Sequence, residues 1–78
     1  MADLVEQELD CTGLICPLPV LRARKRLKDV APGGVLSVTA TDKAAPKDFA
    51  TFCREAGHEL LSSTEQDGVY RFRIRKGG

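Results

Sequence analysis

Three thiols offer nucleophilic chemistry in this 78-residue chain: Cys11, Cys16 and Cys53. Cys16 stands apart because Pro17-Leu18-Pro19 follows it. A residue before proline is biased away from helical dihedrals, and proline is favoured in the first turn of a helix, so Cys16-Pro17 predicts a sharp boundary with Cys16 at the helix N-cap. Free N–H groups and the macrodipole at such an end favour an anion, which would lower the thiol pKa and populate the nucleophilic thiolate. Pro17 and Pro19 remove two first-turn donors while Leu18 and Val20 keep theirs, so a moderate shift is expected, on a stiffened backbone. The competing reading makes Cys16 a small apolar residue at a helix start.

The other two thiols read as structural. Cys11 alternates inward near the end of a strand and Cys53 falls on the buried stripe of a helix. With His58 the three could formally supply a Cys₃His zinc set. Against it, Cys16 would be held by a helix start while Cys53 belongs to the core, and no metal is expected. An odd cysteine count excludes a complete disulfide framework, and a reducing compartment would leave all three as thiols.

The elements that must position Cys16 follow from periodicity and punctuation. Val5 to Cys11 alternates, with Val5, Leu9 and Cys11 opposite Glu6, Glu8 and Asp10, as a strand does. Pro17 to about Asp29 spaces Val20, Ala23, Leu27 and Val30 as a helix, and Pro32-Gly33-Gly34 supplies the stop. Leu36, Val38 and Ala40 then alternate with Ser37, Thr39 and Thr41, giving a strand parallel to the first after the crossover. Asp42 is expected to cap a second helix that tolerates Pro46, buries Phe49, Phe52, Cys53 and Ala56, and ends at Gly57. His58 to Thr64 and Val69 to Lys76 flank Asp67-Gly68 as an antiparallel hairpin. Tyr70, Phe72 and Ile74 take one face of the last strand and Arg71, Arg73 and Arg75 the other. One sheet face is therefore wet and both helices must cover the opposite one, which makes the chain a βαβαββ two-layer α/β sandwich.

Size and charge narrow the function classes. The chain has room for one domain, 1–78, since a fold unit typically runs to ~100–150 residues. A core this small disfavours a deep enclosed site. The formal net charge is +1, no apolar run reaches the ~18 residues of a membrane span, and Met1-Ala2-Asp3 opens an acidic leader, so a cytoplasmic protein is expected. Arg22, Arg24, Lys25, Arg26 and Lys28 form a positive flank on the first helix, either a solvated face or a docking surface for acidic partners. Glu6 and Glu8 are expected to offset the arginine row of the last strand.

Gly13-Leu14-Ile15-Cys16-Pro17-Leu18-Pro19-Val20 resembles the hallmark of the TusA-like sulfur-carrier family: a glycine, a hydrophobic pair, then Cys-Pro-x-Pro opening the first helix. The resemblance runs on through Pro32-Gly33, Thr41-Asp42, Phe52-Cys53, Gly57-His58-Glu59-Leu60 and the ending Arg75-Lys76-Gly77-Gly78. It implies a mixed four-stranded sheet in the order 1-2-4-3, with the fourth strand antiparallel to its neighbours and two helices on one face. It also implies a carrier, not an enzyme, whose Cys16 accepts sulfane sulfur as a persulfide from a cysteine desulfurase or rhodanese and passes it to a DsrE-like acceptor. The relay would serve tRNA thiolation or the oxidation of reduced sulfur compounds. Gly13, Pro17 and Pro19 would support the site, and no cofactor is called for. Leu18 departs from family members that carry an acidic residue there.

Two other functions fit parts of the chain. The basic helix would suit a small RNA-binding module, but such modules stack bases on exposed aromatics, and Tyr70 and Phe72 should face the core. Gly77-Gly78 matches carriers that hold sulfur as a C-terminal thiocarboxylate, yet those begin with a hairpin, and here the ending reads as a flexible tail.

Overall fold

In the sheet, alternate residues divide between a packed and an open face as the period of two requires. Leu36, Val38 and Ala40 are buried, with Ser37 and Thr39 between them on the other side. The computed structural model describes residues 6–77, so Val5, placed in the first strand by its pattern, lies outside the described residues. The order is β1 (Gln7–Cys11), α1 (Leu18–Leu27), β2 (Val35–Ala40), α2 (Ala45–Ala56), β3 (Glu59–Gln66) and β4 (Val69–Arg75). The sheet runs β1-β2-β4-β3, with β1 parallel to β2 and β4 antiparallel to both β2 and β3. The α/β sandwich is the one expected from the pattern of elements, and the strand order is the one the family resemblance implies.

Both helices contribute to one core. Ala23 and Leu27 of α1 and Ala45, Phe49, Phe52 and Cys53 of α2 pack with Cys11, Leu36, Val38, Ala40, Phe72 and Ile74 of the sheet. At its centre the Phe49 and Phe72 rings stack at 4.6 Å between centroids, an offset aromatic pair that adds to the area each ring buries.

Several helix details differ from expectation. α1 begins at Leu18, one residue later than Pro17, because the Leu18 N–H bonds the Ile15 carbonyl in a preceding turn and the first helical bond joins Leu21 to Pro17. Its regular turns end at Leu27, short of Asp29. There Lys28, Asp29 and Val30 donate to carbonyls three residues back, the tighter closure that helix ends often adopt. α2 has Ala44 at its N-cap and no side-chain cap; Asp42, expected there, uses its carboxylate elsewhere. Ala56 is exposed, and Ala45 instead is buried at the helix start. Gly57 closes α2 with φ 79°, a left-handed conformation that glycine adopts without penalty.

In the hairpin, Asp67 and Gly68 both have positive φ, as a type I′ turn demands. A bulge between Leu60 and Ser62 leaves Leu61 outside the pairing and exposed. On the open face Arg73 grips Glu6 through Nε and Nη2 at 3.1 and 3.0 Å, and Arg75 pairs with Glu59. Glu6 therefore offsets the arginine row as expected. The backbone carbonyl of Glu8 accepts from Arg26 Nη1. The ending is not free as far as Gly77: Lys76 exchanges backbone bonds with Gly33 and Gly34, and the Gly77 N–H donates to His58 Nδ1 at 3.0 Å. Of the expected flexible tail Gly77-Gly78, Gly77 is instead held by the His58 ring.

Candidate functional site

Because β1 and β2 are parallel and Cys11 pairs with Ala40, the connections that leave their C-terminal ends emerge side by side. Ligand and catalytic groups of α/β sheets gather at that edge. The first connection, residues 12–17, carries Cys16. It is tied down at three places. Asp10 Oδ1 accepts the Thr12 N–H, Thr41 Oγ1 accepts the Gly13 N–H and Asp42 Oδ2 accepts the Cys16 N–H, each at 2.9 Å. Gly13 sits at φ 81°, where a side chain would strain the turn that delivers its N–H to Thr41. Leu14 anchors the loop by packing on the core. Pro19 is buried, its carbonyl against the Cys11 sulfur at 4.0 Å, while Cys16 and Pro17 stand exposed.

Cys16 is thus presented outward on a braced loop, as the sequence predicts. Its electrostatics are the reverse of the expectation. The thiol pKa is raised, first by the Asp48 carboxylate beside it and then by desolvation and the charge of Asp42. The helix end has few donors with which to counter this. Pro17, not Cys16, occupies the N-cap, Pro17 and Pro19 have no N–H, and the Leu18 N–H is used by Ile15. Asp48 was not singled out from the sequence. The signal available was the parallel pairing, which sets the Thr41-Asp42 connection and the start of α2 beside the Cys16 loop.

The basic residues of α1 divide around the helix. Arg24 shares an open cleft of about 420 Å³ with Cys16, Val20, Lys47, Asp48 and Phe52, and its guanidinium lies 5.9 Å from the Phe52 ring centre. Arg22, Lys25 and Arg26 lie along the other flank with Leu9, Leu18 and Leu21. Lys28 belongs to the far end, beside His58 and Lys76. Ile15 and Leu18, on either side of Cys16-Pro17, and Leu21 further along α1 are apolar residues left 69%, 42% and 49% exposed.

The zinc set is not assembled. Cys11 and Cys53 are buried in the core, Cys16 is on an exposed loop, and His58 Nδ1 is occupied by Gly77. Burial raises the thiol pKa of both buried cysteines, that of Cys53 to about 11, and closes both off from a reacting partner, which the exposed Cys16 is not. Nor is there a stacking platform for bases, since Phe49, Phe52 and Phe72 are buried and Tyr70 is half-buried.

The fold is thus a two-layer α/β sandwich that presents one exposed, braced thiol at the sheet edge and keeps two further thiols buried in its core. The family model of sulfurtransferase TusA matches residues 7–76. The chain belongs to the TusA family. A sulfur carrier protein TusA from Allochromatium vinosum is 50% identical over 97% of this chain and 99% of its own. That of Pseudomonas aeruginosa is 45% identical over 97% and 96%. Among solved structures, a SirA-like protein from Desulfitobacterium hafniense superposes with a TM-score of 0.80 at 26% identity, over 95% of this chain and all of its own.

Proposed function

We propose that this protein is a sulfur carrier that holds sulfane sulfur as a persulfide on Cys16. The observation that carries the reading is the contrast among the thiols: Cys16 is exposed and braced, while Cys11 and Cys53 are buried. Membership of a family whose relatives are named sulfur carriers supports it. Loading proceeds by attack of Cys16 on the outer sulfur of a donor persulfide, and unloading by attack of an acceptor thiolate on the outer sulfur then held by Cys16. Each step conserves one thiol and one persulfide, so no cofactor is required, and the protein acts as an intermediate between proteins rather than as an enzyme with its own substrate. A cysteine desulfurase or rhodanese suits the donor role and a DsrE-like protein the acceptor role. Gly13, Pro17 and Pro19 hold the loop, and the basic residues nearest the thiol, Arg24 foremost, meet the partner.

The test is intact mass after incubation of the reduced protein with a persulfide donor, comparing the parent with Cys16→Ser, Cys11→Ser and Cys53→Ser. Addition of single sulfur atoms that is lost only in Cys16→Ser is the expected result. Addition indifferent to Cys16 would overturn the assignment.

A further inference from the structure

Two carboxylates reach the Cys16 sulfur from outside its own loop. Asp42 comes from the β2–α2 connection and Asp48 from the first turn of α2, and a carboxylate oxygen of each lies with Cys16 Sγ in a group whose members are all within 4.8 Å of one another. The two residues do different work. Asp42 directs Oδ2 to the Cys16 N–H and so fixes the backbone. Asp48 brings its carboxylate beside the thiol itself, within 4.8 Å of Sγ, where its negative charge opposes a thiolate. The other charged groups facing the sulfur are Arg24 from α1 and Lys47 and Glu55 from α2. Two carboxylates this close to Sγ repel a thiolate and tolerate a neutral thiol, so the site favours the protonated form of Cys16.

We propose that Asp48 is the proton-holding residue of the site: its carboxylate, beside the sulfur, keeps Cys16 as a neutral thiol between transfers and receives the proton when Cys16 attacks. This rests on the reading of Cys16 as the carrier. In the loading step the Cys16 S–H bond breaks and its proton moves to Asp48, while Sγ forms a bond to the outer sulfur of the donor persulfide. The donor S–S bond breaks, its electron pair leaves with the donor cysteine sulfur, and that sulfur takes the proton back from Asp48. A thiol and a persulfide become a persulfide and a thiol, with no oxidant or reductant. Unloading runs the same exchange in reverse, with the acceptor thiol in the donor's place. The arrangement also explains how an exposed thiol is spared indiscriminate reaction: its resting state is the poor nucleophile.

The test is the pH profile of Cys16 alkylation by iodoacetamide, followed by intact mass, in the parent, Asp48→Asn and Asp48→Glu. Asparagine keeps the size and removes the charge. The midpoint of the Asp48→Asn profile is expected at lower pH than the parent's. Each tenfold gain in thiolate at neutral pH, offset by the weaker nucleophilicity of a more acidic thiol, leaves roughly a threefold gain in rate. Asp48→Glu is expected to return the midpoint toward that of the parent. An unmoved midpoint in Asp48→Asn, or equal shifts in both variants, would overturn the proposal. Alkylation needs no persulfide, so the outcome is separate from the mass test of sulfur loading: a chain that fails to load on Cys16 defeats the carrier reading, whereas an unmoved midpoint defeats the role of Asp48 alone.

Discussion

The Cys16 N–H donates to Asp42 Oδ2 at 2.9 Å, joining two connections that lie 26 residues apart in the sequence. With the bond from Gly13 to Thr41, it makes the thiol loop an extension of the β1–β2 pairing, so the position of the sulfur is set by the sheet. Asp42→Ala removes the acceptor. At an exposed position the expected cost in stability is about 0.5–1.5 kcal/mol. The larger effect falls on transfer, because a loop that wanders by an ångström misplaces the attacking atom; single-turnover sulfur transfer should slow by roughly tenfold or more. Asp42→Asn retains an acceptor oxygen and should recover most of the rate. Denaturant midpoints and single-turnover kinetics on the same variants separate the two effects.

Most of the scaffold was legible because its signals are local. Alternation in Leu36-Val38-Ala40 and Tyr70-Phe72-Ile74, the Asp67-Gly68 turn and the Gly57 stop each declare themselves within a few residues, and the exposed Cys16 follows from its flanking prolines. The charge environment of Cys16 was not legible in the same way. A helix start flanked by prolines reads as an anion-stabilising end, but two prolines and the Leu18-Ile15 bond leave it few donors, and the opposing carboxylates arrive from the next crossover. Asp42 read as a helix cap for the same reason: its position before α2 was visible, whereas the loop across the sheet edge that takes its side chain was not.

The stacked rings of Phe49 and Phe72 set the stability of the whole sandwich, since one comes from α2 and the other from the central strand β4. Phe49→Ala leaves a cavity at that junction, and the usual cost for a buried phenylalanine is about 3–5 kcal/mol. A core of this size supplies only ~3–5 kcal/mol of net stability, so the variant is expected to be largely unfolded at 25 °C by far-ultraviolet circular dichroism. Phe49→Leu, which keeps most of the volume, should remain folded with a lowered Tm.

Alkaline pH should find the buried thiols. Burial holds Cys53 protonated in the fold, raising its pKa from the ordinary 9.0 to about 11. A group whose pKa is higher in the folded than in the unfolded chain contributes stability that is fully present below the unfolded value and lost as pH rises through the folded one. The contribution of Cys53 is therefore expected to be intact below about pH 9 and to disappear by about pH 11. Cys53→Ala has no proton to lose there. Thermal melts of parent and variant across this range should show the gap in Tm narrowing as pH rises, and a constant gap would show that Cys53 does not titrate in the unfolding equilibrium.

The division of the basic residues around α1 makes a prediction about partner encounter. Arg24 lines the cleft that holds Cys16, whereas Lys28 lies at the far end of the helix beside His58 and Lys76. If the cations steer an acidic partner to the thiol, charge reversal should matter by distance from the sulfur and not by the change in net charge, which is the same for both. Arg24→Glu is expected to slow the bimolecular phase of sulfur loading by about tenfold at low salt, within the range that electrostatic steering supplies. Lys28→Glu should change it little. Raising the salt concentration should slow the parent and leave Arg24→Glu nearly unaffected, because screening removes an attraction the variant no longer has. Equal effects of the two reversals would instead mean that the partner senses the helix as a whole, and the docking face would then extend away from the thiol toward β3 and the chain end.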